Sequence, residues 1–172
     1  LDVILKFPER ERVRVLLRFA GRAETLRREA PRAEPTEDPA ALVPASLLFL
    51  CVKSYQTGDA ARRIAPALPS ASTPVVSLQN GWGNLDLLER ALPGVPLVAG
   101  STTLGAYWDE AGRFHASTGG ITLFAPWTAG DRAEAGTAEA ARLFAEAGLR
   151  SETALNARDA LWRKLVLNVA VN

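Results

Sequence analysis

The sequence is poor in residues that build covalent or metal-held frameworks. Its 172 residues include one cysteine, one histidine and no methionine. The single cysteine, Cys51, excludes an internal disulfide framework. Together with the lack of a secretory signal, it favours the reducing cytoplasm. No metal site is predicted. Because position 1 is leucine, we expect that the sequence shown does not begin at a natural start.

A charge excess and long apolar runs are absent as well. Twenty basic residues stand against nineteen acidic ones, so the net charge is +1, which does not suggest a nucleic-acid or membrane partner. No apolar stretch approaches the roughly 20 residues that span a bilayer. With 48% hydrophobic and 23% charged residues, the composition is that of a globular protein with one core.

Lysine is scarce: only Lys6, Lys53 and Lys164 occur, and arginine supplies the other basic residues. Scarce lysine can mark positions that need a compact, titratable ammonium. Codon bias that leaves a few chance lysines explains the same count, and we accept it for Lys6.

The end of the chain places Lys164, Asn168 and Asn172 at intervals of four in an otherwise apolar run. On a helix, each step turns the side chain by about 40° and climbs about 6 Å, so the three form one polar stripe. Buried amides and an ammonium need partners, which a polar substrate could supply. Contacts with other helices of a core would satisfy them equally well.

The apolar pattern predicts alternating strands and helices, which favours an α/β fold with a right-handed, mostly parallel sheet. Residues 1–7 are predicted to be helical, and residues 31–44 to be a surface connection. The final helix, capped by Asn156, has no obvious partner within its own unit, so it either covers the sheet or opens a further domain. Strands are predicted at 13–17, 47–52, 75–78, 95–104, 119–124 and 150–155, and other helices at 20–29, 57–67, 85–92 and 137–147.

Ligands of such sheets bind outside the carboxyl ends of the strands. Four polar segments follow predicted strands, and each alone is a weak signal, because Asn-Gly is more often a turn than a site. Together with the Lys/Asn/Asn helix they predict one cleft. The segments are Arg18, residues 53–56, residues 79–81 and residues 102–106.

A phosphate-binding glycine turn is missing. No G-x-G-x-x-G occurs in the sequence, and the nearest match, Gly81-Trp-Gly83, follows the wrong strand. This counts against a working nucleotide site in the chain as shown.

Several motifs nevertheless resemble one family. The last of them, with lysine followed by asparagines four and eight residues later, is the most specific. On these motifs the sequence resembles the ketopantoate reductases (2-dehydropantoate 2-reductases). The motifs are Cys51-Val-Lys-Ser-Tyr-Gln56, Ser77-Leu-Gln-Asn-Gly-Trp-Gly83, Gly100-Ser-Thr-Thr103, Gly119-Gly-Ile-Thr122, and Leu161-Trp-Arg-Lys-Leu-Val-Leu-Asn168 with Asn172.

The resemblance implies an NADPH-binding Rossmann-like domain over residues 1–155 and the start of an all-helical substrate domain over residues 156–172. It also implies that residues 1–12 match the helix after the family's glycine-rich turn, so that the first strand, that turn and the helical domain are absent. Trp162 is then expected in the core of the domain junction.

The site residues implied by the resemblance fall into three groups. Lys164 matches the catalytic lysine. Asn168, Asn172 and Asn80 match substrate-binding asparagines, and Asn80 also lies near the nicotinamide. The residues that match cofactor contacts are Lys53, Ala106 and Arg18, the last of which selects the 2′-phosphate of NADP.

The leading functional hypothesis is therefore NADPH-dependent reduction of 2-dehydropantoate, with Lys164 as general acid. A paralogue acting on another 2-oxo acid, or a non-catalytic α/β module kept for association, would fit the same residues. The expected partner is a small 2-oxo acid; the oligomeric state is open, with a homodimer as one candidate. Little activity is expected of the chain as shown.

Overall fold

A computed structural model describes residues 2–6, 13–18, 34–36, 38, 45–68, 73–110, 114–116 and 119–171. In this part of the chain, no helix has both the length and the apolar character needed to cross a membrane. The predicted helix at 20–29, the turn at 112–113 and Asn172 lie outside the described residues.

The described strands form one large sheet and one separate hairpin. In the large sheet the strand order is β10-β9-β6-β5-β4-β2-β1-β3, and β7 pairs with β8. The strands are β1 (Asp2–Lys6), β2 (Val13–Arg18), β3 (Glu34–Thr36), β4 (Leu47–Leu50), β5 (Val75–Ser77), β6 (Leu97–Thr102), β7 (Ala106–Trp108), β8 (Phe114–Ala116), β9 (Thr122–Pro126) and β10 (Ser151–Thr153).

The centre of the large sheet is parallel. Strands β2, β4, β5 and β6 run side by side in one direction, with Leu48 opposite Val75 and Val75 opposite Leu97. Strand β9 is antiparallel to β6 and parallel to β10, while β1 is antiparallel to both β2 and β3. Strand β4 is a wholly buried apolar run, and β5 is wholly buried with Val75 and Val76 followed by Ser77, as expected of strands covered on both faces. The predicted mostly parallel α/β sheet is confirmed.

Four helices are described. They are α1 (Thr57–Ile64), α2 (Asn84–Ala91), α3 (Asp131–Glu146) and α4 (Ala157–Val171), with short 3₁₀ turns at Ser54–Gln56 and Ala65–Ala67. Helix α3 begins six residues before the predicted start at 137. Its predicted end is confirmed, since Gly148 has φ +75° and the amide of Leu149 donates to the carbonyl of Phe144 at 2.9 Å.

The core has a layer on each face of the sheet. Leu48, Val75 and Leu97 point to the face covered by α1, α2 and the first turns of α4. Leu47, Val76, Val98 and Phe124 point to the opposite face, where Ala140 and Phe144 of α3 cover them. Alternate residues of one strand thus serve opposite layers.

Three sequence-based expectations are wrong. Residues 2–6 form strand β1, because the β-branched pair Val3 and Ile4 suits an extended segment that pairs with β2. The predicted connection at 31–44 contains strand β3. The final helix does have a partner within its own unit: Ala157 and Ala160 are buried beside the sheet, and α4 packs against β6 and β9, so the alternative that it covers the sheet is the one observed.

Candidate active site

Two distant parts of the chain meet at the carboxyl edge of the parallel strands. Lys164 of α4 donates a hydrogen bond from Nζ to Oδ1 of Asn80 at 2.5 Å, across 84 positions of sequence. Asn80 follows β5, and Lys164 lies in the third turn of α4. Both were predicted as site residues, and the structure brings them into direct contact.

The segment of residues 77–84, here called the amide loop, is shaped by glycine and held by a buried glutamine. Gly81 and Gly83 have φ of +98° and +85°, a region that glycine adopts without strain. The Gln79 side chain donates from Nε2 to the carbonyl of Val52 at 3.0 Å and accepts from the hydroxyl of Ser77 at 3.1 Å. Gln79 is 7% exposed, so both bonds are shielded from water.

A second set of bonds reaches Asn80 itself. Nε2 of Gln79 also donates to the hydroxyl of Thr57 at 2.7 Å, and this hydroxyl lies 3.2 Å from Oδ1 of Asn84. Asn84 in turn donates from Nδ2 to the backbone carbonyl of Asn80 at 3.0 Å. Thr57, Gln79 and Asn84 are all buried. Buried, fully bonded networks of this kind fix a single loop conformation, and here they orient the residue that accepts from Lys164.

Helix α4 presents Lys164 from its sheet-facing side. Asn156 accepts a hydrogen bond from the amide of Asp159 at 3.2 Å, so the predicted cap is confirmed. Ala157 and Ala160 are buried, Leu161 packs against the same core, and Lys164 follows on that side half-buried. Lys164 therefore continues the buried side of the helix.

Burial also affects the pKa of the Lys164 ammonium. Loss of hydration lowers the pKa of Lys164 below its ordinary value. The residues around it form a narrow cleft of about 20 Å³, and none of the others that the structure describes there is ionisable. They are Gln79, Asn80, Gly81, Gly100, Ser101, Leu161 and Leu165. With a neutral amide as partner, the lysine is poised to release its proton rather than held charged by a carboxylate.

An aromatic pair borders the cleft. The rings of Trp82, in the amide loop, and Trp162, in α4, lie 5.4 Å apart in a tilted arrangement. Trp162 is 55% exposed in the part of the chain that the structure describes, and its expected place in the core of a domain junction stays a prediction. The pair links the same two elements as the Lys164–Asn80 bond.

The remaining predicted residues vary in what the structure describes of them. Arg18 ends β2, and because β2 is parallel to β4 with Leu16 opposite Leu50, it reaches the same edge as Lys53, which is exposed. Ala106 begins β7. Asn168 lies one turn beyond Lys164 on α4, and Asn172 lies outside the described residues.

The segment of residues 102–106 is held by Gly120, to which the sequence alone assigns no role. A Cβ on Gly120 would meet Cα of Leu104 at 2.6 Å, so only glycine permits this approach. The hydroxyl of Thr103 accepts from the amide of Ile121 at 2.9 Å, and the hydroxyl of Thr122 donates to that of Thr102 at 2.8 Å. The Gly-Gly-Ile-Thr motif thus positions this loop.

Sequence reasoning included Gln56 in one of the four polar segments but gave it no role of its own. Its side chain is 3% exposed, and its Oε1 accepts from the amide of Lys53 at 3.1 Å. Its Nε2 has no hydrogen-bond partner among the described residues. A buried, unused donor next to the strand tips is suited to a ligand acceptor. Only its place in the segment after β4 could have drawn attention to it. No cluster of three or more metal-binding side chains is found in the described ranges.

Comparison with known proteins gives consistent matches. A family model described as ketopantoate reductase PanE/ApbA matches residues 3–129. The 2-dehydropantoate 2-reductase of Halobacterium salinarum is 32% identical over 141 residues, which are 82% of this chain and 45% of that protein. The chain thus spans less than half the length of this relative.

Solved structures agree. A PanE/ApbA family ketopantoate reductase from Ralstonia eutropha has 36% identity and a TM-score of 0.62, over 78% of this chain and 42% of that one. A D-mandelate dehydrogenase, solved as a ternary structure with NADH and anilino(oxo)acetate, has 25% identity and a TM-score of 0.59, over 70% of this chain and 38% of that one.

Proposed function

The chain belongs to the PanE/ApbA family of ketopantoate reductases, and we propose that the protein reduces 2-dehydropantoate to pantoate with NADPH. The observation that carries the proposal is the half-buried Lys164 hydrogen-bonded to Asn80 at the carboxyl edge of the sheet. That is the edge where α/β sheets of this kind bind their ligands.

Lys164 is the proposed general acid. Reduction of a 2-oxo acid needs a hydride at the carbonyl carbon and a proton at the carbonyl oxygen. A bound nicotinamide supplies the hydride. Lys164 donates the proton from Nζ, and because burial lowers its pKa it is a stronger acid than an exposed lysine. Asn80 holds Nζ toward the cleft and offers its carboxamide to the substrate.

Asn168 and Asn172 are the proposed substrate-binding residues beyond Lys164. Their spacing of four extends the line of Lys164 along α4. Neutral amides bind the carboxylate and hydroxyl of a 2-oxo acid without adding charge. We propose that residues 156–172 open the substrate domain, while residues 1–155 belong to the cofactor domain.

The cofactor is proposed to lie across the tips of β2, β4 and β5. The unused Nε2 of Gln56 supports this, since a buried donor of this kind gains from a ligand acceptor. Lys53 and Arg18 would contact the phosphates, and Ala106 the nicotinamide side. A guanidinium at Arg18 suits the 2′-phosphate and favours NADPH over NADH. Because the sequence has no G-x-G-x-x-G, we expect the 172 residues alone to bind NADPH weakly and to turn over little.

The decisive experiment replaces the proposed acid in the whole protein. In Lys164→Ala, we expect turnover with NADPH and 2-dehydropantoate to fall by about 10²- to 10⁴-fold, the range typical of a lost general acid, with NADPH affinity retained. Arg142→Ala, on the exposed face of α3, is the matched control and should leave turnover unchanged. Near-normal turnover of Lys164→Ala would end the assignment.

Cofactor choice is tested separately at Arg18. Replacing it by alanine should raise KM for NADPH much more than KM for NADH, because only NADPH carries the 2′-phosphate. An equal change for both cofactors would remove Arg18 from this role. Turnover of another 2-oxo acid in preference to 2-dehydropantoate would identify a paralogue.

A second candidate function rests on one observation. Val166 and Val169 of α4 are 58% and 76% exposed, and Leu155 just before the helix is fully exposed. An exposed apolar face suits association with another protein, so a non-catalytic binding module is the second candidate function. A whole protein that binds NADPH but reduces none of the 2-oxo acids would favour it.

A further inference from the structure

A cluster of four side chains at the start of α4 has no part in the proposed chemistry. It joins Asp86 and Glu89 of α2, Trp127 just after β9, and Arg158 in the first turn of α4. The guanidinium carbon of Arg158 lies 4.1 Å from the centroid of the Trp127 ring, and its Nη2 lies 3.6 Å from Oδ1 of Asp86. The indole Nε1 of Trp127 donates to Oε2 of Glu89 at 3.0 Å.

The cluster connects α4 to the element that follows the amide loop. Asp86 and Glu89 lie on α2, which begins at Asn84, the residue that binds the carbonyl of Asn80. Arg158 lies on the helix that carries Lys164. Both partners of the Lys164–Asn80 bond are therefore tied to this cluster through short, rigid lengths of helix.

The sheet-facing side of α4 needs such a tie. Its buried contacts at this end come from Ala157 and Ala160. Alanine lets a helix approach closely, but its short side chain interlocks little with the opposing surface and resists sliding weakly. The planar Arg158 guanidinium on the indole face gives the first turn a defined position, since such a contact depends on both distance and orientation.

Lys164 lies six residues after Arg158, which is about 9 Å along the helix. Within one straight helix, a shift of the first turn moves the third turn by a similar amount. A displacement of about 1 Å at a reacting group costs up to about 10²-fold in rate. We infer that Trp127 and Arg158 are positioning residues for Lys164, fixing the first turn of α4 so that Nζ meets Asn80. This inference rests on the proposed function for its kinetic consequence, though not for its geometry.

A merely structural role would look different. The Arg158 and Asp86 side chains are 57% and 31% exposed, and exposed ion pairs contribute little to stability. If the cluster acted only on stability, its loss would lower the melting temperature slightly and leave Lys164 unaltered. A positioning role instead changes the surroundings of Lys164 in the folded state.

The first test needs no activity. With only three lysines in the chain, isotope-labelled lysine side chains give a simple NMR titration of the 172-residue protein. In Arg158→Gln and Trp127→Leu, we expect the pKa of Lys164 to move up toward 10.5, because Nζ leaves its half-buried position and is hydrated. Arg90→Ala removes a guanidinium from the exposed surface of α2 and should leave the titration as in the wild type.

The second test uses the whole protein. Arg158→Gln should lower kcat with 2-dehydropantoate by about 10- to 100-fold and leave KM for NADPH unchanged, and the pH profile of kcat should move with the NMR titration. Trp127→Phe keeps a ring beneath the guanidinium and should retain most of the activity that Trp127→Leu loses. Should Arg158→Gln fail to fold, the Trp127→Phe and Trp127→Leu pair decides the question.

The two proposals fail in different ways. Absence of 2-oxo acid reduction by the whole protein overturns the function but leaves the NMR titration as the test of positioning. Folded Arg158→Gln and Trp127→Leu variants with the wild-type Lys164 titration and wild-type kcat overturn the positioning role and leave the function standing.

Discussion

The amide loop and helix α4 supply the two ends of one hydrogen bond, yet they are held by opposite means. The loop is fixed from within, by Gln79, Asn84 and Thr57, whose polar atoms are buried and bonded to one another. The helix is held by contacts with other elements: its alanines pack closely against the sheet, and Arg158 belongs to a surface cluster. The acceptor Asn80 thus depends on hydrogen bonds that are costly to leave unmade, while the donor Lys164 depends on shape and surface contacts.

The largest effect on this comparison is expected from a substitution of Gln79, which removes the buried hydrogen bonds of the amide loop. Gln79→Leu removes the side-chain donor to the carbonyl of Val52 and takes one hydrogen bond each from the hydroxyls of Thr57 and Ser77. Thr57 still donates to the carbonyl of Ser54. We expect the free energy of unfolding to fall by about 3 kcal/mol, since a buried carbonyl left without a partner costs about 1–3 kcal/mol and each further lost bond about 1 kcal/mol. Urea denaturation measures it, with the exposed Arg142→Ala as control. A loss below about 1 kcal/mol would show that the loop does not depend on its buried bonds.

On the helix side, the matching change is Ala160→Leu. Ala160 is 6% exposed, so a larger side chain forces α4 away from the sheet. Overpacking of this kind costs about 1–3 kcal/mol, and chemical denaturation should report it together with a rise in the pKa of Lys164. Val169→Leu, at an exposed position of the same helix, is the control and should change stability by less than about 0.5 kcal/mol. An unchanged Lys164 titration in a destabilised Ala160→Leu would separate helix packing from the site.

A finer comparison uses two variants of Asn84. Asn84→Asp keeps an acceptor for Thr57 but loses the donor to the carbonyl of Asn80, whereas Asn84→Ala loses both. Each lost bond is worth about 1 kcal/mol, so we expect the alanine variant to be the less stable in urea. Both variants should lower kcat of the whole protein, because both remove the hydrogen bond that holds the backbone carbonyl of Asn80 in place. If Asn84→Asp kept full activity, the bond to the Asn80 carbonyl would have no part in orientation.

The smallest effect is the pH dependence that Lys164 gives to stability. Its pKa is lowered in the folded state, so between that value and 10.5 the unfolded chain binds more protons. The free energy of unfolding therefore rises with pH across this window and is flat on either side of it. The free energy of unfolding of the wild type minus that of Lys164→Met, measured from about pH 8 to about pH 11, should rise with pH. A difference that falls with pH would contradict the burial of Nζ.

Much of the fold could be predicted from local patterns, because a buried parallel strand such as β4 is a continuous apolar run. The caps of α3 and α4 at Gly148 and Asn156 were readable for the same reason, since capping is chemistry within a few residues. The strand at 2–6 was not, because a short apolar segment suits helix or strand, and pairing with β2 decides between them.

The site divides in the same way. The polar residues of α4 and the strand-end loops were predicted from spacing, and the structure brings one of those loops to the helix in the contact of Lys164 with Asn80. The roles of the supporting residues could not be predicted from the sequence, because their contacts are long-range. Gln79 bonds to Val52 and Thr57 across 27 and 22 positions, and Trp127 bonds to Glu89 across 38. Nothing local distinguishes such a glutamine from a solvated one. The roles of Arg18, Lys53, Ala106, Asn168 and Asn172 stay predictions.

The choice of a carboxamide opposite Lys164 has a consequence for how often the amine can be reused. An asparagine carries both an acceptor oxygen and a donor NH₂ group, so a half-turn about its last torsion lets it accept from an ammonium or donate to an uncharged amine. An aspartate at position 80 could only accept, and its negative charge would stabilise the ammonium and oppose loss of the proton. Asn80 therefore suits a proton that must be surrendered and then recovered in every cycle.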